Sequence, residues 1–275
     1  MNFQNSIHFR PLVLSLILSL IFSSALYAEE PDEIIESSIV GDRFGLYIHV
    51  PEGYHPDSTY SLAIYMDANL KMGKELRRQI SLPANQQLLE NVIFVGIGHI
   101  GNYRTLRRRD FIPPVFTEGE YQVSKTPDFG HADQFYRFLT SELIPELESR
   151  FQLNGRYSII GHSFSGLFSY YCLFRNDAFF KNHIALSPSL WVNYDNIFEI
   201  EKNLFQNGKR LKGQLYHACG SWEWTNKVRS TSRKMSSIMT ENHPSIHMNY
   251  SEFNGRGHHS MVPIALEEMI EKIQF

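Results

Sequence analysis

Cysteine is scarce in this chain. Only Cys172 and Cys219 occur, both in apolar surroundings (YYCLF and YHACG). They read as two small buried side chains, since each sits in a predicted regular element, with a single disulfide as the alternative. The sequence contains no C-x-x-C, no H-E-x-x-H and no Walker-type phosphate loop, which removes the usual grounds for metal or nucleotide chemistry. An excess of positive charge is also missing: the net charge is −3, so no global basic field points to nucleic acid. No internal repeat, low-complexity tract or Pro/Gly-rich linker divides the 275 residues, a length that suits one large α/β domain.

A long membrane-spanning run is lacking as well. The most apolar stretch, Leu12 to Phe22, is interrupted by Ser15 and Ser19 and is too short to cross a bilayer. Arg10 precedes it and the small-residue stretch SSALYA follows, the layout of an export signal with a cut after Ala28 or, second, Ala25. An uncleaved anchor is the lesser reading, because the leading segment is only weakly basic. The expectation is therefore a signal peptide over 1–28 and a single domain over 29–275. It would be exported to the periplasm or secreted, without stable membrane insertion after cleavage.

What is present is an alternation of strand and helix signals. LAIYM (62–66), VIFVGIG (92–98), YSIIG (157–161) and HIALS (183–187) combine β-branched and aromatic residues between turn residues. FGLYIHV (44–50), QLYHAC (214–219) and IHMNYSEF (246–253) are further strand candidates. Near-continuous apolar runs such as VIFVGI suit strands covered on both faces, as in a parallel sheet between helices. Between them, 132–151 carries Phe135, Phe138, Leu139, Leu143 and Leu147 on one helical stripe, with Pro145 expected to interrupt it. Helical patterns also cover 164–175, 224–242 and 261–273. The fold class that follows is α/β, a mostly parallel central sheet with helices on both faces.

From His99 to Gly130 the periodicity weakens. This stretch holds Pro113, Pro114, Pro127 and the cluster Arg104, Arg107, Arg108 and Arg109, and it reads as a long loop leaving the carboxyl edge of the sheet.

The chemistry-bearing motif is IIGHSFSG (159–166), which places Ser163 between a predicted strand and a predicted helix. A nucleophile turn needs that context, because the tight bend exposes the hydroxyl above the sheet. The fifth place of G-x-S-x-G is Ser165 instead of glycine, so a crowded turn is expected. A serine hydroxyl needs a histidine base and an acid to orient it. In the chain order serine, acid, histidine, Glu223 in GSWEW and the pair His258–His259 in FNGRGHHSMVP each follow a predicted strand. Asp195 in VNYDNIF is the competing acid and reads better as a helix cap. The residues alone leave His258 and His259 open.

Four blocks then bear a resemblance to a known family: GIGHIGNYRTLRRRDFIPP, GHADQFYRFLTSELIPELESRF, IIGHSFSGLFSYYCLF and IALSPSLWVNYD. Together they resemble the esterase branch of the α/β-hydrolases that includes trilactone siderophore esterases and esterase D-like enzymes. The resemblance implies an α/β-hydrolase fold and a Ser–His–acid enzyme acting on a small-molecule ester, with no metal or organic cofactor. It places the nucleophile at Ser163, the acid at Glu223 and the base at His258, where His259 stands in place of a usual glycine. It also implies oxyanion-binding amides at Phe164 and, by position in the family, at Ala68. Arg104 and Arg107 are expected at the cleft, favouring anionic acyl or catecholate groups, while Arg109 with Asp110 pins the loop. Trp191 is expected in the core or, second, in the cleft wall as a substrate contact. Acyl transfer to an acceptor other than water, and a catalytically silent binding protein, are the alternatives to hydrolysis.

Overall fold

The structure is a computed structural model that describes residues 30–122, 125–225 and 227–275. The expected signal segment lies outside the described residues. Pro31–Phe275 forms one compact unit. The strands run β1 (Glu33–Ser37), β2 (Asp42–His49), β3 (Tyr60–Met66), β4 (Val92–His99), β5 (Val115–Thr117) and β6 (Glu120–Gln122). They continue as β7 (Leu153–His162), β8 (Phe180–Leu186), β9 (Gln214–Gly220) and β10 (His247–Phe253). Eight of them make one sheet in the order β1-β2-β4-β3-β7-β8-β9-β10, while β5 and β6 pair as a separate hairpin. From β4 to β10 all neighbours are parallel, and β1 and β2 are added antiparallel at one edge.

The fully apolar strands are central for a physical reason. Every residue of β3 and β4 is buried, which a parallel strand needs when helices cover both faces. One face carries α1 (Lys71–Ile80) and α9 (Val262–Lys272), whose Leu76, Ile80, Leu266 and Met269 close a core over Phe94, Ile184 and Tyr216. The other face carries α4 (Ala132–Phe138), α5 (Ile144–Arg150), α6 (Phe164–Phe174), α7 (Val192–Gln206) and α8 (Val228–Asn242) around Phe44, Phe135, Phe138 and Phe168. The short α2 (Pro83–Gln86) follows α1, and α3 (Tyr103–Phe111) follows β4. No helix among the described residues is long and apolar enough to cross a membrane.

Three local expectations change. Pro145 does interrupt its helix, but as a π-helical turn, Leu139–Leu143, in which the Ile144 amide reaches back five residues to the Leu139 carbonyl. Proline supplies no amide and crowds the preceding turn, and a local widening relieves both. The stretch 99–130 is not one long loop: it holds α3 and the β5–β6 hairpin. Asp195, read as a helix cap, instead lies with Asn193 and Tyr194 in three successive left-handed residues (φ 59°, 57° and 56°). Cys172 and Cys219 are separately buried and unpaired.

Candidate active site

Ser163 follows β7 and caps the start of α6 with φ 64° and ψ −116°, a strained conformation for a residue with a side chain. The surroundings hold it there. Its amide donates to the Leu186 carbonyl at 2.9 Å, and its own carbonyl accepts from the Leu167 and Ser189 amides, each at 3.0 Å. The turn is tight enough that a Cβ on Gly161 would sit 2.0 Å from the Ser165 carbonyl oxygen. Ser163 stays partly accessible on the wall of a cleft of about 420 Å³ at the carboxyl ends of the parallel strands, which His258, Lys71 and Arg104 also line.

Glu223 and His258 meet across two loops. The loops after β9 and β10 are stitched by the Ser221 amide to the Phe253 carbonyl (3.0 Å) and the Trp222 amide to the Arg256 carbonyl (2.9 Å). Glu223 turns inward, 2% exposed, between Trp222 and Trp224 at 66% and 70%. Its Oε2 lies 2.6 Å from His258 Nδ1. Its Oε1 accepts from Ser187 Oγ at 2.6 Å and from the Gly220 amide at 2.7 Å. Burial alone would raise the Glu223 carboxyl, but the bonds from His258, Ser187 and Gly220 outweigh it and hold the group below the usual carboxylate range. An ionised Glu223 places the His258 proton on Nδ1 and leaves Nε2 as an acceptor. Ser163 Oγ rests 3.2 Å from Ser189 Oγ, and no hydrogen bond joins it to His258 among the described residues.

His259, the other member of the pair, is exposed, with its ring 5.0 Å from that of His258. Behind both, His162 is buried and holds the His258 carbonyl at 2.7 Å through Nε2. Its burial, then the neighbouring His258, push its pKa well down, so it is neutral and donates Nε2–H to that carbonyl. His162, Ser187 and Ser189 were not expected here from the sequence, where they stand in the short runs GHS and SPS.

The remaining expected residues fall in different places. Phe164 begins α6, so its amide has no carbonyl four residues back to bond within the helix. The Ala68 amide, expected as the second oxyanion donor, is already given to the Ile97 carbonyl at 3.1 Å, which corrects that expectation. The next amide in the turn, that of Asn69, makes no hydrogen bond among the described residues. Arg107 lines the cleft, but its charge is engaged: Nε and Nη2 bind Asp67 at 2.6 and 2.9 Å. Arg104 is exposed at the cleft, 3.3 Å from the Tyr103 hydroxyl. Arg109 is held by Asp110 and Asp42, with its Nη1 2.8 Å from Asp42. Trp191 is not in the core: it is 38% exposed at the start of α7 and is not among the cleft-lining residues.

Known proteins resemble the chain over most of its length. The family described as "Putative esterase" matches residues 37–260. The ferri-bacillibactin esterase of Bacillus subtilis is 27% identical over 246 residues, spanning 82% of this chain and 83% of that protein. The siderophore triacetylfusarinine C esterase of Aspergillus fumigatus is 32% identical over 140 residues, 48% of this chain and 46% of that one. Among solved structures, the BES protein of Bacillus cereus superposes with a TM-score of 0.74 at 26% identity, over 88% of this chain and 95% of its own. With a family match over most of its length and this fold, the chain belongs to that esterase family of α/β-hydrolases, which act on esters.

Proposed function

We propose that the protein is an exported serine esterase whose substrate is a siderophore or another small anionic ester. The observation that carries the reading is the Glu223–His258 contact at 2.6 Å beside a strained, accessible Ser163. Ser163 and His258 line one cleft, and in the reaction the Ser163 hydroxyl exchanges Ser189 for His258 Nε2. His258 takes the proton as Oγ attacks the ester carbonyl, and Glu223 stabilises the imidazolium that forms. The Phe164 and Asn69 amides receive the oxyanion, the term that contributes most in acyl transfer. His258 returns the proton to the leaving alkoxide; water then attacks the acyl-enzyme with His258 again as base.

The substrate class draws on two supports. Of the relatives named above, one is a ferri-bacillibactin esterase and another a siderophore triacetylfusarinine C esterase. The cleft carries Lys71 and Arg104 at its mouth, whereas the charge of Arg107 is neutralised by Asp67. Export rests on the leading segment 1–28. Purified Ser163→Ala, folded by circular dichroism, is expected to lose hydrolysis of a short p-nitrophenyl ester. Retained hydrolysis would overturn the assignment.

A further inference from the structure

Ser165 stands where G-x-S-x-G has glycine, and the structure shows what the extra atoms do. The turn has no room for a Cβ at Gly161, and one on Gly166 would press on the Leu186 carbonyl at 3.0 Å. At position 165 the side chain fits, fully buried, and its hydroxyl meets three polar atoms. The His162 amide donates to Ser165 Oγ at 2.8 Å, while Asp67 Oδ2 and the His162 carbonyl lie at 2.7 and 2.9 Å. A hydroxyl has one proton, and the nearer, charged carboxylate takes it.

Asp67 is itself constrained. It is buried with φ 60°, a left-handed conformation that a side chain disfavours, and it opens the turn closed by the Leu70 amide on the Asp67 carbonyl at 2.9 Å. Arg107 grips the same carboxylate twice and adds a bond from Nη2 to the His162 carbonyl at 3.3 Å. Asp67, Arg107 and Ser165 thus fasten the turn after β3 to the turn after β7. Those two turns carry the two oxyanion amides.

We infer that Ser165 is a positioning residue: its hydroxyl, through Asp67, sets the spacing between the Phe164 amide and the Asn69 amide. The inference rests on the serine-esterase reading. A spacing role is felt when the oxyanion forms and hardly at all when the neutral ester binds, so it separates kcat from KM.

The test is a double-mutant cycle on hydrolysis of p-nitrophenyl acetate by the full chain. Ser165→Gly, which restores the common motif, and Ser165→Ala are each expected to lower kcat about tenfold, the scale of one hydrogen bond to a charged group, with KM within about twofold. In an Asp67→Asn background, the same Ser165→Ala change is expected to add less than about twofold, because its partner is already altered. If Ser165→Gly fails to fold, Ser165→Cys keeps the volume while weakening the donor and carries the same comparison. Full kcat in the folded glycine variant, or an undiminished effect in the Asp67→Asn background, overturns the inference. Ser163→Ala in the same series reports on the reading separately. Retained hydrolysis there overturns the serine assignment whatever the Ser165 variants do. Its loss together with wild-type kcat in Ser165→Gly overturns the positioning role alone.

Discussion

Glu223→Gln is a nearly isosteric change whose consequence is fixed by the two oxygens it treats unequally. Oε1 receives two donors, Ser187 Oγ and the Gly220 amide, and Oε2 faces His258 Nδ1 alone. A glutamine amide has one acceptor oxygen, and the two donors claim it. Its NH₂ group is then forced toward His258 Nδ1, which must become an acceptor, so the imidazole proton moves to Nε2. That tautomer cannot take a proton from Ser163. In serine proteases the equivalent amide substitution costs about 10⁴ in kcat, so a loss of about 10³- to 10⁴-fold is expected here, roughly 4–5.5 kcal/mol of barrier. Stability should change far less, since Ser187 and Gly220 keep their acceptor. Glu223→Ala removes it and leaves buried donors unpaired, at about 1–3 kcal/mol each. Initial rates on p-nitrophenyl acetate, with urea unfolding alongside, check both halves. A kcat for folded Glu223→Gln within about tenfold of wild type would refute the reasoning.

Other consequences follow from groups away from the reacting atoms. His162, His183 and His217 are buried, and burial depresses all three, His183 to about 4 and His217 to about 3. The unfolded chain takes up protons near 6.5 that the folded one refuses. Their contribution is therefore present above that pH and is lost on acidification, by about 1.4 kcal/mol per pH unit for each histidine; urea unfolding at pH 7.5, 6.5 and 5.5 measures it. Asp110 is buried against Arg109 and, at 2.8 Å, His99; Asp110→Ala takes the partner from the buried His99 ring while Arg109 keeps Asp42, and is expected to lower stability by about 1–3 kcal/mol in the same assay. Since Cys172 and Cys219 are unpaired, reductant is expected to leave the Tm unchanged, and two thiols should react with Ellman's reagent only after denaturation.

The parts of the fold written in apolar pattern were legible, and the parts written in paired charge were not. β3 and β4 announce themselves because both faces are buried. Helix α3 was hidden because Phe111 is its one buried apolar residue, while Arg107, Arg109 and Asp110 pair with Asp67, Asp42 and one another and leave no apolar stripe. Chain order and strand ends were enough to pick out Ser163, Glu223 and the histidine pair. Backbone direction was not readable: whether Ala68 or Asn69 offers a free amide depends on Asp67 at φ 60°, which a neighbouring turn imposes. The turn around Ser165 is as tight as its sequence suggested, but the Asp67 carboxylate that receives its hydroxyl was not readable, because it lies almost a hundred positions away.

The most direct measurement is the mass and location of a fluorophosphonate adduct on the folded chain. One adduct per molecule is expected, mapped to the peptide carrying Ser163, and none on Ser163→Ala. An unmodified wild type, or an adduct on any other residue, would contradict it.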